Sequence, residues 1–357
     1  MHSNVKRSLI AASLALAFSM PAAAQLAGRP VVLVHGFQYS DLSNPPTTLQ
    51  QVEQNGYNYW QAFWDAHADA RIDWASNLRL ESGIAQEAFT QLKQISQSGL
   101  CNSGCVFVTH STGDLVTRYV MENQAHWLQA AGYQPLKVLA VIDFAGAGGG
   151  TELANDAISI AYSNAWYNDA LKAAVKAFTG IDPTPGKMGV VNDLQTTVAR
   201  NEAVSPTSIP HLRFVGGGSE YGGITSPFIS GTDDGVVPLH SACGATTVGA
   251  YDSCVNYVNL DGKRTSVSAP GALYYNYYPV LMSAGINHGQ TIDTTTGNDI
   301  TYADNNFGVN GINVDFSTYT YQYKPWWDIF GSKSTYQKIT NGSSYSMSGL
   351  VFQTLNQ

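Results

Sequence analysis

Three unbroken aliphatic runs set the architecture this chain can adopt: Pro30-Val31-Val32-Leu33-Val34, Cys105-Val106-Phe107-Val108 and Val138-Leu139-Ala140-Val141-Ile142. A strand with one wet face alternates apolar and polar residues. A run without that alternation is covered on both faces, as in the middle of a parallel sheet. Between the first two runs, Ile84, Ala88, Leu92 and Ile95 fall on one helical face. That spacing predicts a helix from Gly83 to Gln97, stopped by Gly99. After the second run, Leu115, Val116, Tyr119 and Val120 repeat as a buried helix face requires. His211 to Val215 reads as a further strand. Strands alternating with helices predict an α/β protein built on a mostly parallel sheet.

The second run leads directly into Thr109-His110-Ser111-Thr112-Gly113. Strand, tight turn bearing a serine, then helix is the geometry of a nucleophile elbow, which exposes the serine at the C-terminal edge of a sheet. The helix that follows aims backbone N–H groups and its positive dipole end at the same point. A buried serine capping a helix has the same local pattern. The buried strand before it, the amphipathic helix after it and the earlier strand ending in His35-Gly36 favour the elbow.

With Val34-His35-Gly36-Phe37, His110-Ser111-Thr112-Gly113, Asp234-Gly235-Val236-Val237-Pro238 and Asn287-His288-Gly289 in this order, the chain resembles the α/β-hydrolase superfamily. Within it, the likeness is to secreted bacterial triacylglycerol lipases, and it orders the chain from about residue 30 to 290. It implies an α/β-hydrolase fold with a mostly parallel central sheet and a helical cap insertion, and an ester hydrolase working through serine, histidine and aspartate. One position departs from the G-x-S-x-G pattern: Thr109 replaces the first glycine, which should crowd the turn.

A serine hydroxyl is a weak nucleophile and needs a base. In this family the order is serine, acid, histidine, so of the eight histidines only His240 and His288 follow the favoured acid. His240 lies six residues after Asp234, leaving little room for separate acid and base loops, so His288 is the expected base. Asp234 is the expected acid, with Asp233 and Asp143 as alternatives. The backbone N–H of Thr112 is one expected oxyanion donor; the resemblance implies that of Phe37 as the other.

From Thr151 to about Ser205 the pattern changes, with Leu171, Val175 and Phe178 at helical spacing. A cap over residues 151–205, with Asp169 to Phe178 its best candidate, and an ordinary crossover helix both fit. Phe37, Tyr39, Trp166 and Tyr167 are candidates for an acyl pocket, although plain core is the commoner fate of aromatics. Some related lipases bind structural Ca²⁺ through an acidic residue just after the catalytic histidine, where this chain has Gly289-Gln290. Asp293, Asp299 and Asp304 offer oxygen ligands, but an ordinary polar loop is the plainer reading. No cofactor is expected. Beyond residue 290 the chain is rich in Asn, Asp, Thr, Tyr and Ser and resists assignment.

At the N-terminus Lys6-Arg7, an apolar run from Leu9 to Met20, and Ala22-Ala23-Ala24 have the form of a signal peptide over residues 1–24. The apolar run is too short to span a bilayer. Residues 25–357 then form one hydrolase domain, secreted into an extracellular or periplasmic compartment. An oxidising compartment pairs cysteines, and the positions of the four favour Cys101–Cys105 and Cys243–Cys254. A net charge of −8 without any Lys/Arg-rich run excludes a nucleic-acid partner and argues against tight attachment to anionic membranes. The expected partner is an ester, most simply a lipid, met by transient contact with a lipid interface and without stable membrane insertion. A triacylglycerol lipase is the leading expectation and a short-chain or polyester esterase the alternative. A peptidase with the same residues and a non-catalytic binding protein on this scaffold are the competing classes.

Overall fold

The computed structural model describes residues 25–60, 62–202, 209–274 and 277–356. The expected signal peptide, residues 1–24, lies outside them. Among the described residues, eight strands form the central sheet: β1 (Gln25–Leu26), β2 (Arg29–Val34), β3 (Ala70–Ile72), β4 (Cys105–His110), β5 (Val138–Phe144), β6 (His211–Gly216), β7 (Tyr277–Ser283) and β8 (Thr301–Tyr302). Their order is β1-β2-β4-β5-β6-β7-β8, with β3 also beside β2. Every pairing from β3 and β2 through to β7 is parallel; β1 and β8 add antiparallel margins.

The three aliphatic runs occupy β2, β4 and β5, as their lack of alternation predicts. Val32, Val34, Phe107 and Val141 face one way, against Leu92 and Ile95 of the helix Ala85–Ser98 and Leu115 and Val120 of the helix Gly113–Ala130. Val31, Leu33, Val106, Val108 and Ile142 face the other way, against Trp64 and the helix Met347–Leu355. Both pleat faces are dry, so neither tolerates a polar interruption. The helix predicted over 83–97 begins as a wide turn at Leu80–Ile84 and runs on as Ala85–Ser98, closed by Gly99 in the left-handed region at φ +74°.

The cover on the second face comes from the segment that composition could not assign. After β8 the chain forms the hairpin Asn306–Val309/Ile312–Asp315, a second hairpin Thr318–Tyr323/Ser334–Ile339, and the helix Met347–Leu355. Phe307, Ile312, Val314, Met347 and Val351 all join the second core cluster.

Residues 151–201 connect β5 to β6 and carry the helices Glu152–Tyr162, Asp169–Thr179 and Thr196–Asn201. Both expected disulfides are formed, Cys101–Cys105 and Cys243–Cys254. Each closes a short loop, where cross-linking restrains the unfolded chain least.

Candidate active site

Strand β4 ends at His110 and the helix begins at Gly113, so the chain turns within Ser111-Thr112. Ser111 takes φ +57°. This region costs a non-glycine residue roughly 1–2 kcal/mol, and it persists only where the surroundings over-determine it. Here the Ser111 N–H donates to the Phe144 carbonyl at 3.0 Å, and the Ser111 carbonyl accepts from Asp114 and Ala147. Two glycines let the turn close. A Cβ on Gly113 would overlap the Val34 carbonyl oxygen, and one on Gly36 would overlap the Tyr59 hydroxyl and come within 2.6 Å of the Ser111 Cβ.

Thr109 does not crowd the turn. It stays within β4 beside Asp143 of β5, and its Oγ1 donates to Asp143 Oδ1 at 3.0 Å. The close packing expected at the first glycine falls instead on Gly36. Gly36→Ala should therefore lower kcat/KM for a soluble ester by about 100-fold or more, the scale set by a displacement of about 1 Å in a reacting group. Gly271→Ala, with nothing near its Cβ, should leave the rate unchanged in the same assay.

The fold brings Asp234 and His288 together. His288 Nδ1 lies 2.8 Å from Asp234 Oδ2, and Asp234 is buried. The other carboxylate oxygen accepts from the backbone N–H groups of Val236 at 3.0 Å and Val237 at 2.7 Å. The His288 backbone is clamped as well: its N–H donates to the Asp234 carbonyl at 3.0 Å. Its carbonyl accepts from Thr291 Oγ1 at 2.8 Å and from His110 Nε2 at 3.1 Å.

The alternatives are engaged elsewhere. Asp233 Oδ1 accepts from Ser226 Oγ and the Gly235 N–H, bracing the loop that carries Asp234. Asp143 is buried against Arg213 at 3.3 Å; burial and the charge of Asp114 push its carboxyl up, and Arg213 opposes them. His240 is fully buried between Glu152 and Arg200, both at 2.8 Å. If His288 acts as the base, His288→Ala should cut kcat by about 10⁴-fold or more. His240→Ala should lower Tm, because its ring is buried between Glu152 and Arg200, and cost far less in kcat than His288→Ala.

Ser111 and His288 line one cavity of about 230 Å³, together with Phe37, Tyr39, Phe178, Glu220 and Tyr221. Among the described residues, neither the Phe37 nor the Thr112 backbone N–H has a hydrogen-bond acceptor. Phe37 packs on Phe178 of the helix Asp169–Thr179, with ring centroids 5.4 Å apart. Trp166 and Tyr167 do not line this cavity: Trp166 is 84% exposed, and the Tyr167 hydroxyl bonds Ser159 and Ser163. They sit in the link between two helices, where no core partner draws them inward.

Asp293, Asp299 and Asp304 do not converge. Asp293 bonds Thr295, Asp299 pairs with Lys338, and Asp304 accepts from the Asn306 N–H.

Three supporting residues escape sequence reasoning. Burial holds the His35 imidazole down at about 4, so it stays neutral. Its Nδ1–H donates to the Gly36 carbonyl at 2.8 Å and its Nε2 accepts from the Trp74 N–H at 3.0 Å, which fixes the turn carrying Phe37. His110 is likewise held neutral, by burial first and by adjacent His288 second. With Nε2–H donating to the His288 carbonyl, His110 Nδ1 accepts from the Tyr59 hydroxyl, whose own ionisation burial pushes up. The signal was a histidine on each side of a glycine or serine turn; Tyr59, 51 residues from His110, carried none.

No protein-family model and no curated protein matches the chain. Among solved structures it is similar to the mature lipase BlEst2 of Bacillus licheniformis, at 19% identity over 63% of this chain and 81% of that one, with a TM-score of 0.38. It is also similar to the Staphylococcus hyicus lipase, at 13% identity over 74% and 88%, TM-score 0.39. A third is lipase 1 from Pelosinus fermentans, at 17% identity over 73% and 92%, TM-score 0.36. By its own strand order, with helices on both sheet faces and a strained serine turn at the end of β4, the chain has the α/β-hydrolase fold.

Proposed function

We propose that this protein is a secreted serine hydrolase of carboxylic esters, acting on triacylglycerols. One observation carries the reading: a buried Asp234–His288 pair shares a cavity with a serine held at φ +57°. With Nδ1–H committed to Asp234, His288 presents Nε2 to the cavity. It takes the Ser111 hydroxyl proton as Oγ bonds to the ester carbonyl carbon. The Phe37 and Thr112 N–H groups hold the oxyanion, each such donor contributing about 2.7–4 kcal/mol in comparable sites. The oxyanion collapses, the carbon–oxygen bond to the alcohol breaks, and His288 protonates the alcohol. Water then gives its proton to His288 and adds to the acyl carbon. The acid leaves as the proton returns to Ser111.

The two disulfides fit an oxidising compartment, and among the described residues no helix is long and apolar enough to cross a membrane. The helix Asp169–Thr179, through Phe178, serves as a cap over the acyl side of the cavity. The cavity is smaller than the roughly 300–1,000 Å³ of most ligand pockets, which favours short acyl groups. Tributyrin should therefore be cleaved faster than emulsified triolein in a pH-stat assay. Faster cleavage of triolein overturns the acyl-length assignment, and cleavage of neither overturns the substrate class.

A further inference from the structure

Among the described residues, four of the five most exposed large apolar side chains sit at one hairpin tip; the other is Trp166, in the link between two helices. Within five residues between Thr318–Tyr323 and Ser334–Ile339, Phe330 is 99% exposed, Trp326 87%, Ile329 75% and Trp327 65%. Leaving four such side chains in water is costly for a soluble surface, and contiguous apolar patches mark interaction sites.

Three backbone N–H groups of the tip are bonded within it. The Asp328 N–H donates to the Pro325 carbonyl, the Ile329 N–H to the Trp327 carbonyl, and the Gly331 N–H to Asp328 Oδ1 at 2.6 Å. Lys324 Nζ donates to the Ile329 carbonyl at 3.0 Å. Backbone groups that enter hydrocarbon need partners of this internal kind. Below the tip, Tyr319, Tyr321 and Tyr323 alternate along one strand and Tyr336 lies opposite, stacked on Tyr321 at 5.3 Å. Lys324 and Lys333 flank the tip. Apolar side chains at the end, with tyrosines and lysines behind, match the layering of hydrocarbon, headgroups and water.

We propose that the loop 324–333 inserts into a lipid–water interface, its Trp, Ile and Phe side chains entering the acyl layer and the tyrosine–lysine collar resting among the headgroups. The isoleucine and phenylalanine favour lipid over a sugar polymer, which aromatic platforms alone would suit. With only two lysines in the collar, on a chain of net charge −8, the attraction is apolar and needs no anionic lipid. The docking is independent of the ester chemistry, and its test involves none.

The test is flotation of the full chain with phosphatidylcholine vesicles, alone and containing phosphatidylglycerol. Wild type should float with both. Trp326→Ser, Trp327→Ser and Phe330→Ser combined should weaken partition by at least about tenfold, with an unchanged circular-dichroism melt because the tip buries no core. As a check without mutation, phosphatidylcholine brominated on its acyl chains should quench wild-type tryptophan emission. Failure of wild type to float, undiminished flotation of the variant, or absence of quenching overturns the proposal. So does a dimeric wild type that the three substitutions render monomeric, or a variant that loses only an insoluble polysaccharide or polyester.

Discussion

Ser111→Ala will lower kcat for p-nitrophenyl butyrate by at least about 10⁴-fold, since removing the nucleophile of a serine hydrolase costs nearly the whole catalytic unit. Residual hydrolysis will reflect the oxyanion donors acting on a water molecule. Stability should move little, because Ser111 Oγ faces the cavity and alanine inherits the same left-handed backbone. Ser111→Gly should be equally inactive yet more stable, by roughly 1 kcal/mol, because glycine removes the strain at φ +57°. A non-catalytic binding protein on this scaffold predicts the opposite: no ester hydrolysis in wild type and no loss on substitution.

Asp234→Asn comes next in size. The amide keeps the shape but no longer enforces the tautomer with a proton on His288 Nδ1, and it cannot stabilise an imidazolium. The loss in kcat should be about 10⁴-fold, the scale of the equivalent change in known serine triads. Asp143→Ala separates this role from structure. It removes the carboxylate facing the buried Arg213 guanidinium and the hydrogen bond from Thr109. Unfolding in urea should show a loss of about 3–5 kcal/mol, with kcat per folded molecule far less affected than in Asp234→Asn. Asp233→Asn should fall between, since its carboxylate braces the Asp234 loop without touching His288.

What the sequence revealed tracks where its constraints were local. The three aliphatic runs announced the central strands because burial on both faces forbids polar residues, and β2, β4 and β5 contain them. The turns that carry Ser111, Asp234 and His288 were legible because their chemistry is written in adjacent residues. The cover formed after residue 290 was not. Its strands alternate apolar and polar residues over only four positions, as in Ile312-Asn313-Val314-Asp315. A usable signal stood beside them: Asn310-Gly311 takes φ +56° and +78°, as a two-residue type I′ hairpin turn requires. The histidine and tyrosine supports were beyond reach for another reason. Tyr59, His110 and the His288 carbonyl meet only because the sheet gathers distant segments at one edge. Trp166 shows the converse: an aromatic just before the helix Asp169–Thr179 lies 84% exposed to water.

The central claim is that Ser111 becomes acylated. It is tested most directly by treating the protein with p-nitrophenyl butylphosphonate and locating the adduct by peptide mass spectrometry. The account predicts one phosphonyl group per molecule, on the peptide containing Ser111, forming in step with loss of esterase activity and absent from Ser111→Ala. A fully active protein carrying no adduct, or an adduct on another serine that accounts for the lost activity, would contradict it.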